Sequence, residues 1–166
     1  MSSASRGEPQ LFNVGAAEID ALTLYRILRL RVDVFVVEQA CPYPELDGRD
    51  IEPTTRHLWF ADADGVVVST LRLMEDATGA DDRTEYRIGR VCTERSHRGE
   101  GLAARLLETA LGAVGDRVCR IEAQTYLMQM YASFGFRADS DEYLEDGIPH
   151  VSMIRSSADQ PTTTAK

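Results

Sequence analysis

A chain of 166 residues, 43% apolar and 27% charged, has the composition of one globular domain and is too apolar to stay unfolded. Its net charge of −9 disfavours nucleic acid as a partner, and no window approaches the roughly 18 consecutive apolar residues of a membrane span. The polar opening, Met1-Ser-Ser-Ala-Ser-Arg-Gly, lacks the apolar stretch of a secretory signal, which leaves a cytoplasmic enzyme or binding domain as the expectation.

Residues 1–9 are rich in Ser, Gly and Pro, and 156–166 carry no large apolar side chain, so both ends read as flexible flanks of one domain over 10–155. A helix is expected from about Glu18 to Glu38. Leu24, Leu28, Val32 and Phe35 form one ridge and Ile27, Leu30, Val34 and Val37 the next. Its last turns are β-branched and must rely on packing rather than propensity. Three prolines then make Gln39 to Thr55 irregular, and a connection this long is more often functional than idle. Its acids Glu45, Asp47, Asp50 and Glu52 form either a solvated surface or a grip for a cationic substrate.

Next, His57 to Ala63 and Val66 to Met74 flank Asp64-Gly65, the dipeptide of a type I′ hairpin. A third strand, Glu85 to Cys92, leads through the polar run Thr93 to Arg98 into a helix starting near Gly99. Leu102, Leu106, Leu107, Ala110, Leu111 and Val114 are its buried face. A strand at Arg117 to Ala123, a short helix at Tyr126 to Phe134 closed by Gly135, and strands at Phe136 to Tyr143 and His150 to Ile154 complete an α/β domain with a mixed sheet. Cys41, Cys92 and Cys119 are an odd count without a C-x-x-C pair, against both a disulfide framework and a zinc ribbon. Cys92 and Cys119 read as small hydrophobes, while Cys41, before Pro42, is the thiol to test for reactivity.

Chemistry concentrates where the third strand gives way to the Gly99 helix. Backbone N–H groups at a helix start lack intrahelical partners and carry partial positive charge, and Gly99 and Gly101 let a phosphate approach them closely. Arg83, Arg87, Arg90, Arg95 and Arg98 make this stretch locally basic in an acidic chain, which suits a small polyanion. Gly99-Glu-Gly101-Leu-Ala-Ala104 also fits the dinucleotide fingerprint, with Glu122 roughly 20 residues on as its ribose acid. Against that stand the intervening run Thr93 to Arg98, the elements that precede the motif, and the short chain after Glu122.

The segment Arg98-Gly99-Glu100-Gly101-Leu102-Ala103 resembles the pyrophosphate loop of the GNAT acyltransferases. Gln124-Thr-Tyr-Leu-Met-Gln-Met-Tyr131-Ala-Ser-Phe-Gly135-Phe136 is similar to that family's second signature, with Gln124 replacing its usual Asn. Leu30-Arg31, Val34 to Gln39, Cys41-Pro-Tyr43, Leu46-Asp47-Gly48, Gly89-Arg90-Val91 and Glu145-Asp-Gly-Ile-Pro-His150 resemble its ElaA-like branch over most of residues 22–154. The resemblance implies a single-domain GNAT fold, a central mixed sheet flanked by helices, with acetyl-CoA between splayed parallel strands. Backbone groups of Val91, Cys92 and Thr93 would polarise the thioester, Gln124 would touch the cofactor, and Tyr131 would donate a proton to the departing thiolate.

An amine acceptor, small molecule or peptide, must lose a proton before it attacks. Glu38, His57 and His150 are the candidate bases, each with a structural role as the alternative. His57 and His150 share no metal-ligand spacing with any Cys, so no metal is expected. Two other functions stay open at this point, an acyl-CoA-sensing module without turnover and an NAD(P)-dependent oxidoreductase, and so does a homodimer.

Overall fold

The computed structural model describes residues 7–77 and 83–156, so the flanks 1–9 and 156–166 lie for most of their length outside the described residues. The first half of the chain runs β1 (Gln10–Gly15), α1 (Ala21–Arg31), a π-helical segment (Val32–Glu38), β2 (Arg56–Ala61), β3 (Val67–Ala77) and β4 (Thr84–Thr93). The second half runs α2 (Leu102–Val114), β5 (Cys119–Gln124), α3 (Met128–Ala132), β6 (Arg137–Ala138), β7 (Tyr143–Glu145) and β8 (Ile148–Arg155). Short 3-10 turns occupy Arg49–Ile51, Arg95–His97 and Thr125–Leu127.

The strands form one sheet in the order β1-β2-β3-β4-β5-β8-β6, with β7 on β8. Among the described residues only β4 and β5 pair in parallel, joined through α2. The mixed α/β class read from the sequence is the class observed. A dinucleotide-binding fold needs successive parallel βαβ units, and this topology removes the oxidoreductase alternative.

One helix covers each face of the sheet. Leu102, Leu106, Leu107, Ala110, Leu111 and Val114 recur at helical spacing and pack on Leu58, Phe60, Leu71, Ile88 and Ile121. On the other face Ile27, Leu30 and Val34 meet Trp59, Ala61 and Val67. Strand β2 therefore buries residues on both sides, which explains its almost unbroken apolar run. Each fully buried Leu adds roughly 1.5–3 kcal/mol.

Four local expectations change. The strand expected at Phe136 to Tyr143 is instead the two-residue β6 and, after a break, the separate β7, both paired with β8. Strand β1 is an additional element, a half-buried edge strand paired with β2, on which Phe12 stacks against Trp59 at 5.1 Å. The helix expected over Glu18 to Glu38 starts at Ala21 and becomes π-helical at Val32. There Gln39 N donates to Val34 O and Cys41 N to Val36 O, five residues back, in a run of β-branched side chains that crowd an α turn. The type I′ turn is not at Asp64-Gly65, because only Gly65 has positive φ and Asp62 closes the wider loop by accepting from Asp64 N and Val66 N. It is at Asp146-Gly147, with φ of 48° and 80°, between β7 and β8.

Candidate active site

The parallel pairing of β4 with β5 covers Tyr86–Ile88 against Cys119–Ile121 and then stops. Two residues later Arg90 takes a left-handed φ of 54°, and the β3–β4 register shifts between Thr70 and Arg72. This bulge bends β4 away from β5. A non-Gly residue in that conformation costs on the order of 1–3 kcal/mol, and neighbouring groups hold it there. Arg90 Nε lies 2.8 Å from Glu45 Oε2, Nη2 donates to Glu45 O at 3.2 Å, and the guanidinium sits over the Tyr43 ring.

The strands separate around a cleft of about 1080 Å³. Val91, Cys92 and Thr93 line it. They pair along one edge with β3, through Cys92–Thr70 and Thr93–Ser69, and their other edge has no strand partner.

Across the cleft, α2 begins without a cap. Gly99 and Gly101 have φ of 81° and 75°, and no side chain accepts from the first turn. The first intrahelical bond runs from Arg105 N to Gly101 O, so the preceding amides have no protein acceptor within the helix. A Cβ at either glycine would meet nothing within 4 Å, so the space before the turn is open. Gly99, Gly101, Leu102 and Ala103 line the cleft, whereas the exposed Glu100 side chain lies outside it.

The basic stretch is not a free cationic patch. Arg98 donates from Nη1 and Nη2 to the two Glu38 carboxylate oxygens at 2.6 and 2.8 Å, and its Nε donates to Thr93 O. Arg87 pairs with Asp76 and Glu122, and Arg90 with Glu45. With Arg87, Arg90 and Arg98 paired, an anion at the turn would rely chiefly on backbone amides. The π-helical segment also sends Gln39 across the cleft, where Gln124 Nε2 donates to Gln39 Oε1 at 3.2 Å. In the sequence Gln39 stands out only as the last residue of the ElaA-like run Val34 to Gln39.

Tyr131, on α3, is 4% exposed, packs edge-on against Phe136 and lines the cleft. Its hydroxyl has no hydrogen-bond partner among the described residues. Burial pushes its phenol above the ordinary range, so it keeps its proton.

The three candidate bases separate clearly. His57 is fully buried on β2 with Nε2 2.9 Å from Asp50 O, burial holds its pKa below the ordinary value, and it has no surface on the cleft. Its apolar strand context made it a core imidazole. Glu38 lines the cleft, but the Arg98 hydrogen bonds hold its carboxyl below the usual range, which makes it a weak proton acceptor. His150 lies on β8 opposite Gln124 and faces the cleft. Its Nδ1 is 2.8 Å from Ile148 O, a pure acceptor, so Nδ1 is the donor in that contact, and its Nε2 lies 3.7 Å from Glu145 Oε2.

The acids of the Pro-rich loop are neither a solvated surface nor a free grip. Arg31, wholly buried, bonds Glu45 and Asp50 at 2.5 Å each, and Arg72 bonds Asp47 and Asp50 at 2.7 and 3.1 Å. Burial alone would raise the Asp47 and Asp50 carboxyls, yet Arg72 and Arg31 hold them below their usual range. Buried ions require such pairing, and here it ties the loop to α1, β3 and the β4 bulge. Burial pushes the Cys92 and Cys119 thiols up to about 12 each. Cys41 is also buried and lines the cleft, its Sγ donating to Asp146 O at 3.4 Å. Among the described residues no three His, Cys, Asp or Glu side chains group to hold a metal, and no helix is long and apolar enough to cross a membrane.

Comparison with known proteins agrees with this geometry. Residues 30–157 match the family described as the acetyltransferase (GNAT) domain. A UPF0039 protein of Mycobacterium tuberculosis is 57% identical over 150 residues, 90% of this chain and 95% of its own. Protein ElaA of Escherichia coli is 38% identical over 143 residues, 84% of this chain and 91% of its own. Among solved structures, an acyl-CoA N-acyltransferase from Pseudomonas aeruginosa superposes with a TM-score of 0.80 at 38% identity, covering 90% of this chain and all (100%) of that one. The crystal structure of Escherichia coli ElaA superposes at 0.78 with 35% identity and the same two coverages, 90% and 100%.

Proposed function

The chain belongs to the GNAT acetyltransferase family, and from that membership we propose that it transfers the acetyl group of acetyl-CoA to a primary amine by direct attack in a ternary complex. One observation carries the reading. The uncapped two-glycine start of α2 opens onto the same cleft as Tyr131, whose hydroxyl has no hydrogen-bond partner among the described residues, and His150, whose Nδ1 is already engaged by Ile148 O. The open space before Gly99 and Gly101 suits a pyrophosphate, and the β4–β5 gap suits the arm that follows it.

Acetyl-CoA, once bound, supplies the acyl group already activated as a thioester. The residues of the chain do the rest. Amides at Leu102 and Ala103 hold phosphate oxygens, and those of Val91 to Thr93 face the charge that develops on the acyl oxygen. Tyr131 donates its proton to the departing thiolate, and His150 Nε2 accepts the proton of the amine. Holding both reactants in one cleft supplies the proximity that the reaction requires. Three unpaired, buried thiols fit a reducing compartment, so the reading includes a cytoplasmic setting.

Thermal melting with acetyl-CoA tests the binding half. Cofactor at about 100 times its Kd adds roughly 2.7 kcal/mol of stability, whereas NADH should leave the transition in place. Thiol release in the presence of polyamines, amino acids, aminoglycosides and peptides tests the chemical half. Binding without release from any acceptor would make the protein a sensing module, and an unchanged melt would remove the reading altogether.

A further inference from the structure

Beside the cleft, β5, β7 and β8 bring a second polar group together. Glu122 on β5 lies opposite Ser152 on β8, and Tyr143 on β7 lies opposite His150 on β8. Ser152 Oγ donates to Glu122 Oε2 at 2.6 Å, the Tyr143 hydroxyl donates to the same oxygen, and Arg87 Nη1 donates to Oε1 at 3.1 Å. With three donors around it, Glu122 is an anchor rather than a base. Despite the upward push of burial, those hydrogen bonds hold its carboxyl below the ordinary range.

The Tyr143 ring lies along the His150 imidazole, centroids 6.1 Å apart and planes 26° apart. The two-residue Asp146-Gly147 turn fixes that pairing, because a slip of one residue would send Tyr143 to the opposite face. The imidazole is thus held at its face by Tyr143 and at Nδ1 by Ile148 O. Glu145 Oε2, on an exposed residue, stands 3.7 Å from Nε2.

We propose that Glu122 and Tyr143 are positioning residues for the transfer, Glu122 anchoring the Tyr143 ring and the ring fixing His150 with Nε2 toward the acceptor. The inference rests on the reading of His150 as the base. It explains why a partly exposed carboxylate on β5, in the wall of the cleft, carries three donors, and why the short β7 strand is folded back on β8.

The test compares Tyr143→Leu, Tyr143→Phe and Glu122→Gln with His150→Ala. Two readouts are used, thiol release with the fastest amine of the panel above and the two-bond ¹⁵N–¹H correlations of the imidazole, which need no acceptor. In the unaltered protein the His150 signal is that of a proton on Nδ1. Tyr143→Leu mixes the tautomers and lowers kcat roughly tenfold or more, out of the 10²–10⁴ that general acid–base catalysis contributes. Tyr143→Phe and Glu122→Gln give smaller losses in kcat with CoA affinity and melting point retained, and they decide the matter if Tyr143→Leu does not fold. Unchanged tautomer and kcat in these variants, while His150→Ala is severely impaired, would overturn the positioning role alone. Full activity in His150→Ala would overturn the base itself.

Discussion

At the start of α1, Asp20 accepts from Thr23 N at 2.9 Å and from Thr23 Oγ1 at 2.6 Å, so the first turn is satisfied from within the chain. At the start of α2 the same position is Gly101, which has no side chain to offer, and a left-handed Gly99 two residues earlier keeps the approach open. Even the short turn before it is capped, by Glu94 on Ser96 N at 2.9 Å. Both helices carry the same positive end. They differ in who supplies the negative partner, a carboxylate of the protein at α1 and, in the proposed function, an outside anion at α2. On that proposal, an uncapped helix start inside a cleft exchanges local stability for binding.

Several substitutions break or sharpen that contrast. Gly101→Val places a Cβ in the open space and forces a β-branched residue to φ of 75°. CoA affinity measured by titration calorimetry should fall on the order of 100-fold, as charge-assisted hydrogen bonds from several amides are lost together. The domain should still melt cooperatively, because left-handed strain costs only about 1–2 kcal/mol. Retained affinity would mean that the α2 start is not the anion site.

Tyr131→Phe should lower kcat roughly 100-fold with CoA affinity unchanged. Its pH dependence carries a sign. The protonated phenol is the active form, and burial raises its pKa above the ordinary ~10, so the unaltered enzyme should show no Tyr131-dependent decline between about pH 8 and 10. A falling limb there that vanishes in the Phe variant would contradict this. Glu38→Gln releases Arg98 and removes a negative charge beside the turn, so CoA should bind roughly two- to fivefold tighter at low salt, with the gain fading as salt rises. Because Glu38 is held below the usual carboxylate range, the unaltered protein should gain this advantage only as pH falls through that lowered value. Asp20→Ala is the control at the other helix. It should lower the melting temperature by about 2–4 °C and leave CoA affinity as it was.

The α2 start was legible in the sequence because every part of it is local. A strand end, two glycines and an amphipathic run lie within a few residues, and their periodicity has a direct structural meaning. Which candidate bases line the cleft was not, because Glu38, His57 and His150 come from distant elements whose side chains meet or miss the cleft only through tertiary packing and sheet register. His57 alternates into the core on β2, and His150 reaches the cleft because Asp146-Gly147 sets the β7–β8 pairing. The Asp-Gly rule was sound but applied to the wrong dipeptide, since Asp62 closes a wider loop around Gly65. The buried pairs of the Pro-rich loop were equally out of reach, because only the packing of α1 against β3 brings Arg31 and Arg72 to Asp50.

The proposed function depends on the amides at the start of α2, and their chemical shifts report on them directly. In a titration with CoA, the amide signals of Gly99, Gly101, Leu102 and Ala103 should move together to saturation while that of Thr23, already capped by Asp20, stays in place. Pantetheine, which lacks the pyrophosphate, should leave all five where they were. Saturable CoA binding with the Gly99 to Ala103 signals unmoved would contradict it.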